Sequence, residues 1–235
     1  MKRFLFLMVL FCMGILSGFA QEDNFSYTDD NGVTWEGRIE YEYDEKNYTY
    51  TQNVKDVCIN STSCNSEAEI VIPGEISYKG KKYTVTSLGS VFSENKIIEK
   101  VTIPKTVTYL SGTFSGCSAL SEVVNTNQLK SVSGAFNNCS SLKSMDLSSC
   151  ETVGYSSFGG CSQLENVVLK VCKGIESGAF SSSYGGSSSC LKLKSVGDIS
   201  HCESIGNSAF SGCSSLTSVD LSSCKTIESG AFSGC

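Results

Sequence analysis

Apolar residues along most of this chain return at one fixed interval. With Phe136 as origin, inward-type residues follow at Cys139, Leu142, Met145, Leu147, Cys150 and Val153. The next stretch gives Phe158, Cys161, Leu164, Val167, Leu169, Cys172 and Ile175, and a later one Phe210, Cys213, Leu216, Val219, Leu221, Cys224 and Ile227. Almost everything between them is Ser, Gly, Thr, Lys, Asp or Glu. The phenylalanines at 92, 114, 136, 158, 180, 210 and 232 are spaced by 22, 22, 22, 22, 30 and 22 residues. A period in the twenties is the mark of a solenoid. The one long gap holds a Ser/Gly insert at 181–189, and one further residue near Gly197 accounts for the remainder. Within a unit, Val219-Asp220-Leu221 alternates in and out, which predicts a short strand. Spacings of three elsewhere predict tight turns or 3₁₀-like segments rather than long helices. One such unit cannot bury its own apolar face, so the units must stack and supply one another's interior.

Residues 21–69 lack the period. Trp35, Ile39, Tyr41 and Tyr43 alternate with polar residues, Asp44 to Asn47 reads as a turn, and Tyr48 and Tyr50 follow. This predicts a β-hairpin, whose plain role is to cap the first coil. Its tyrosines also offer an aromatic platform for sugar, although cross-strand packing is the commoner use of such residues. Asp29-Asp30-Asn31-Gly32 reads as a turn. Tyr78-Lys-Gly-Lys-Lys-Tyr83 predicts a second tight hairpin leading into the array.

Leu216-x-x-Val219-x-Leu221-x-x-Cys224 fits the leucine-rich repeat pattern, as do Leu142 to Cys150 and Leu164 to Cys172. The recurring Ala-Phe-Ser-Gly-Cys-Ser-Ser-Leu resembles the BspA-like subfamily of those repeats. So do Val101-Thr-Ile-Pro104, Ile70-Val-Ile-Pro73 and the stretch from Tyr78 to Val85. The resemblance covers roughly residues 70–235. It implies a repeat solenoid of short parallel strands, mostly β and turn with little helix, behind the N-terminal β-hairpin cap. It also implies a secreted or surface protein that adheres to host proteins or other cells. The expected division is a signal peptide at 1–20, the cap at 21–69 and about seven 22-residue units at 70–235. The array stops mid-repeat at Cys235, which is the pattern expected of a fragment or of an open last coil.

Composition fits export. Lys2 and Arg3 precede an apolar run from Phe4 to Leu16, and Gly18-Phe19-Ala20 has small residues where a leader is cleaved. The run is shorter than the ~20 residues a spanning helix needs, and no later stretch is long enough. Cys12 follows the bulky Phe11, unlike a lipoprotein signal. The net charge is −6. Removing Lys2 and Arg3 from 18 basic residues leaves 16 against 24 acidic, a net charge of −8. An acidic chain of this kind argues against nucleic acid as a partner.

Cysteine is the conspicuous chemistry. Ten cysteines form two columns, Cys117, Cys139, Cys161, Cys190, Cys213 and Cys235 in one and Cys150, Cys172, Cys202 and Cys224 in the other. Their spacing of about 11 does not match metal-ligand clusters. Two readings stay open: column disulfides, at a stacking distance of about 4.8 Å but with parallel Cβ vectors, and close packing as small hydrophobes. Packing accounts better for cysteine at a position that the repeat pattern gives to Cys or Asn. Cys58 and Cys64, outside the array, are spaced for a local bridge.

A search for catalytic groups gives little. His201 lies beside Cys202, but Cys202 is a column residue that should point inward while His201 faces solvent. No phosphate loop, calcium motif or carboxylate pair is recognisable, and no cofactor is expected. The reading is therefore a non-enzymatic protein that uses its repeat surface. The outward strand positions include Glu122, Asp146, Asn166, Lys170, Asp198 and Asp220, with Asp146 and Asp220 suggesting a mildly acidic strip. The expected partner is a protein or cell-surface macromolecule. The alternative is a structural spacer or scaffold module of a longer surface protein.

Overall fold

A computed structural model describes residues 22–44, 49–64, 66–181 and 189–235. Residues 1–21, which include the expected signal peptide, most of the expected turn at 44–47, and most of the Ser/Gly insert lie outside the described residues. Among the described residues the regular structure is all β, with no helix.

The N-terminal unit is larger than a hairpin. Strands β1 (Glu22–Thr28), β2 (Thr34–Asp44) and β3 (Thr49–Thr62) form an antiparallel meander. The Asp29–Gly32 turn joins the first two, with Asp29 Oδ1 accepting from the amides of Asn31 and Val33 at 2.9 and 3.0 Å. The first strand was not legible because its only strongly apolar inward residue is Phe25. Trp35, Ile39 and Tyr41 are buried. Trp35 and Tyr41 thus pack inward, while the side chains of Tyr43, Tyr48 and Tyr50, the rest of the aromatic platform considered for sugar, lie outside the described residues.

Short strands β4 (Glu69–Val71), β5 (Glu75–Tyr78) and β6 (Lys81–Thr84) follow. The last two form the expected hairpin, with Lys79 and Gly80 at φ 48° and 74° in its turn. Strand β7 (Ser87–Leu88) pairs in parallel with β3, joining the N-terminal sheet to the coils.

Each coil then contributes to two parallel ladders. One contains β4, β8 (Lys100–Thr102) and β10 (Glu122–Val124), then after a break β12 (Ser144–Leu147), β14 (Asn166–Leu169) and β16 (Ser195–Gly197). The break falls where Asn125 turns to φ 65° and its amide donates to Ile103 O at 3.0 Å. The other ladder is continuous: β9 (Tyr109–Ser111), β11 (Ser131–Ser133), β13 (Thr152–Val153), β15 (Gly174–Ile175), β17 (Ser204–Ile205) and β18 (Thr226–Ile227). Spacings of three arise from i to i+3 turns. Cys139 N donates to Phe136 O and Leu142 N to Cys139 O, both at 3.1 Å.

All seven columns are buried between the ladders in the central coils. Phenylalanines 92 to 232 form one unbroken stack, with successive ring centroids 5.0–5.6 Å apart and planes within 11° of parallel. The insert does not disturb it. Cys190 N still donates to Phe180 O at 3.2 Å, the same bond that Cys161 N makes to Phe158 O three residues away. The extra residue sits at Gly197–Asp198, where the β14–β16 register shifts. The strand expected at Val219–Leu221 does not form, because that shift removes the matching ladder beside it. Val219 and Leu221 remain only half-buried.

Candidate binding surface and the cysteine columns

The first cysteine column has a definite task. Each thiol reaches one coil back to a phenylalanine carbonyl: Cys117 to Phe92 O at 3.0 Å, Cys139 to Phe114 O at 3.1 Å, Cys161 to Phe136 O at 3.0 Å and Cys190 to Phe158 O at 3.1 Å. Cys213 and Cys235 repeat the contact at 3.8 and 3.3 Å. In the second column the thiol donates within its own coil, from Cys150 to Thr152 O at 3.1 Å and from Cys172, Cys202 and Cys224 to Gly174 O, Ser204 O and Thr226 O at 3.3 Å. A small apolar side chain with a weak donor suits both sites.

These thiols are free and, apart from Cys224 and Cys235, buried. Burial pushes Cys117 and Cys150 up to about 11 and Cys213 to about 12. The neighbouring Cys202 sulfur and burial raise Cys172 as well. The expected local bridge is not formed. Cys58 and Cys64 are both free, and the Cys58 thiol contacts Asn60 Oδ1 at 3.1 Å. Cys58 lies inside extended β3, where about 3.3 Å per residue carries the chain away from it too fast for a short-range bridge.

The candidate surface residues Glu122, Asp146, Asn166, Lys170, Asp198 and Asp220 are all exposed. They do not form one strip. Asp146 stands beside Val168, not another carboxylate, and Ser144 beside Asn166, which stands beside Ser195. Asp146, Asp198 and Asp220 each turn Oδ1 onto the amide two residues on, at Ser148, Ser200 and Ser222 (2.9–3.0 Å). The Ser200 amide and hydroxyl hold the Asp198 carboxyl below its usual range. Glu122 pairs with Lys100 at 3.0 Å. His201 is exposed with Nδ1 3.2 Å from Ser200 Oγ, while the Cys202 thiol is buried and points to Ser204 O. The two are not a nucleophile–base pair.

Charge is more ordered than the sequence suggests. Lys130, Glu151, Lys173, Glu203 and Lys225 occupy one column, each amide donating to the carbonyl of the residue before it in the column at 2.8 Å. Lys173 bonds Glu151 at 2.9 Å and Lys225 bonds Glu203 at 2.7 Å. On another edge Lys194 bonds Glu165 at 2.7 Å. The lysines hold Glu151, Glu165 and Glu203 below the usual carboxylate range. Comparing residues one coil apart would have exposed this alternation; reading along the chain scatters it.

The sequence profile of the BspA type leucine-rich repeat region matches residues 86–187 and 187–235, in six copies. The chain belongs to the BspA-type leucine-rich repeat family. Two solved structures resemble the BspA-type array here. A leucine-rich cell surface protein from Faecalibacterium prausnitzii is 23% identical with a TM-score of 0.54, covering 84% of this chain and 54% of that one. A leucine-rich repeat protein from Bacteroides ovatus is 22% identical with a TM-score of 0.52, covering 83% and 49%. The chain thus spans about half the length of each, and the likeness is one of fold. Among curated proteins, none matches the sequence.

Proposed function

We propose that this BspA-type array is an exported binding protein whose ladder surfaces contact a protein or other macromolecule at a cell surface. The observation that carries the reading is the in-register exposed row on β12, β14 and β16, where Ser144, Asn166 and Ser195 stand side by side and Asp146 and Val168 form the adjacent row. Such a row offers the same chemistry at strand spacing over several coils, which suits a broad interface rather than a small-molecule pocket. The leader-like residues 1–20 and the surface location named for the Faecalibacterium protein support export. Family membership supports binding in general; adhesion is the narrower part of the proposal.

Saturable binding of the purified chain to immobilised matrix proteins or whole cells tests it. Binding that is lost on Ser144→Lys plus Asn166→Lys, which puts two like charges into the exposed row, is the expected result. Failure to bind any such surface favours the spacer role.

A further inference from the structure

Gly154, Glu176, Gly206 and Glu228 form another column, their amides donating to Val132 O, Val153 O, Ile175 O and Ile205 O at 2.7–2.9 Å. Glycine is required at 206 because a Cβ there would lie 2.5 Å from Ser177 N. At this column position the coil between the two glutamates therefore carries no side chain. What results is a cleft of about 330 Å³ lined by Tyr155, Glu176, Ser204, Gly206, Thr226 and Glu228, among others.

Its carboxylates are held in place. Glu176 Oε2 accepts from Tyr155 N at 3.0 Å, and Glu228 Oε2 accepts from Asn207 N at 2.9 Å. That fixes each side chain through one oxygen, and both glutamates line the cleft. They stand two coil steps apart, about 9.6 Å at strand spacing. The lysines three residues earlier, Lys173 and Lys225, are committed to Glu151 and Glu203. Among the described residues Glu176 and Glu228 form no ion pair, so the cleft keeps its negative charge while the column beside it cancels. Tyr155, 47% exposed, adds an accessible ring at one end.

The geometry points to a docking cleft for a basic segment of a protein partner, its lysine or arginine side chains meeting Glu176 and Glu228 and one of them lying against the Tyr155 ring. This rests on the binding role proposed above and names the partner's chemistry. Fixed carboxylates bind guanidinium or ammonium without the entropy cost of ordering the acid. A tyrosine face adds a cation–π contact. The net charge of −6 draws a cationic segment from a distance.

The test is fluorescence anisotropy of a labelled Arg-Gly repeat peptide on the whole chain, with a Gln-Gly repeat as control. Binding of the Arg-Gly peptide alone, weakening as salt rises, is expected. Glu176→Gln plus Glu228→Gln, which keeps an oxygen for the two amides, is expected to weaken it at least about tenfold. Tyr155→Phe should retain binding and Tyr155→Leu should lose part of it. Equal affinity in wild type and the double glutamine variant overturns the cleft. So does salt-insensitive capture of a neutral oligosaccharide that the same variant abolishes, which would make it a sugar site. Matrix or cell binding that survives while the peptide result is negative sinks the cleft alone and leaves the broader binding role standing.

Discussion

Trp35 meets Phe92 edge-on, with ring centroids 6.5 Å apart and planes at 80°. Trp35 comes from β2 of the N-terminal sheet and Phe92 is the first ring of the stack. The contact is T-shaped, a favoured arrangement for an aromatic quadrupole, whereas every later ring lies nearly parallel to its neighbour. The tryptophan thus closes the ring stack at the end where no earlier phenylalanine stands. Trp35→Ala should destabilise the protein by about 3–5 kcal/mol, and Trp35→Phe by less. Chemical denaturation followed by circular dichroism reads both.

Cysteine reactivity should divide by position. In the native state an aromatic disulfide reagent at mildly alkaline pH should label Cys235 and Cys224 first, since one is exposed and the other half-exposed. Cys139, Cys161 and Cys190 should stay protected until the chain unfolds. The unfolded thiols ionise near ~8.5, while Cys117 and Cys150 do so only at about 11. The stability they contribute is therefore complete below ~8.5 and is lost as pH rises towards their folded values. A denaturation midpoint that stays flat from pH 8 to 10 would contradict this.

The Lys–Glu column should respond as a row. Glu151→Lys places three lysines side by side and should lower the thermal midpoint, with recovery at high salt. Adding Lys173→Glu should restore only part of the loss, because the new Glu would stand next to Glu203. Since Glu151, Glu165 and Glu203 are held below their ordinary range, their contribution is present above ~4.3 and lost as pH falls through the lower folded values. Thermal melts at several pH and salt values separate these effects.

Two glycines offer a graded test. Gly160 has φ 80°, and an added Cβ would lie 2.2 Å from Asn138 Oδ1. Gly134 also has positive φ, 57°, but nothing closer than Tyr155 O at 4.0 Å. Gly134→Ala should cost about 1–2 kcal/mol for the left-handed backbone alone, and Gly160→Ala more. Equal costs would mean that Asn138 swings away freely.

Much of the fold was readable because its repeat is both apolar and long. Phe136, Phe158 and Phe210 mark coils that any alignment of the chain with itself reveals, and buried Cys161 or Leu169 follow from the same offsets. The N-terminal sheet was only half readable. β2 announces itself through Trp35, Ile39 and Tyr41, whereas β1 is held by pairing to β2 and carries little apolar pattern of its own. The strand at Val219–Leu221 was expected from pattern and is absent, because one added residue at Gly197–Asp198 in the preceding coil displaces the ladder. The surface was least readable. Asp146 and Asp220 look like members of a strip until the register puts Val168 beside the first, and the partners of Glu151 and Glu203 lie 22 residues away. Exposed charge follows stacking, which local sequence does not display.

The bond from Cys190 N to Phe180 O spans ten positions in this coil and three in the others, yet its length stays within a tenth or two of an ångström of theirs. The corner between those two residues therefore behaves as a port: chain can be lengthened there while the rings and thiols on either side keep their places. Grafting an unrelated epitope between Ser181 and Ser189 would exploit the same tolerance, turning the solenoid into a display frame.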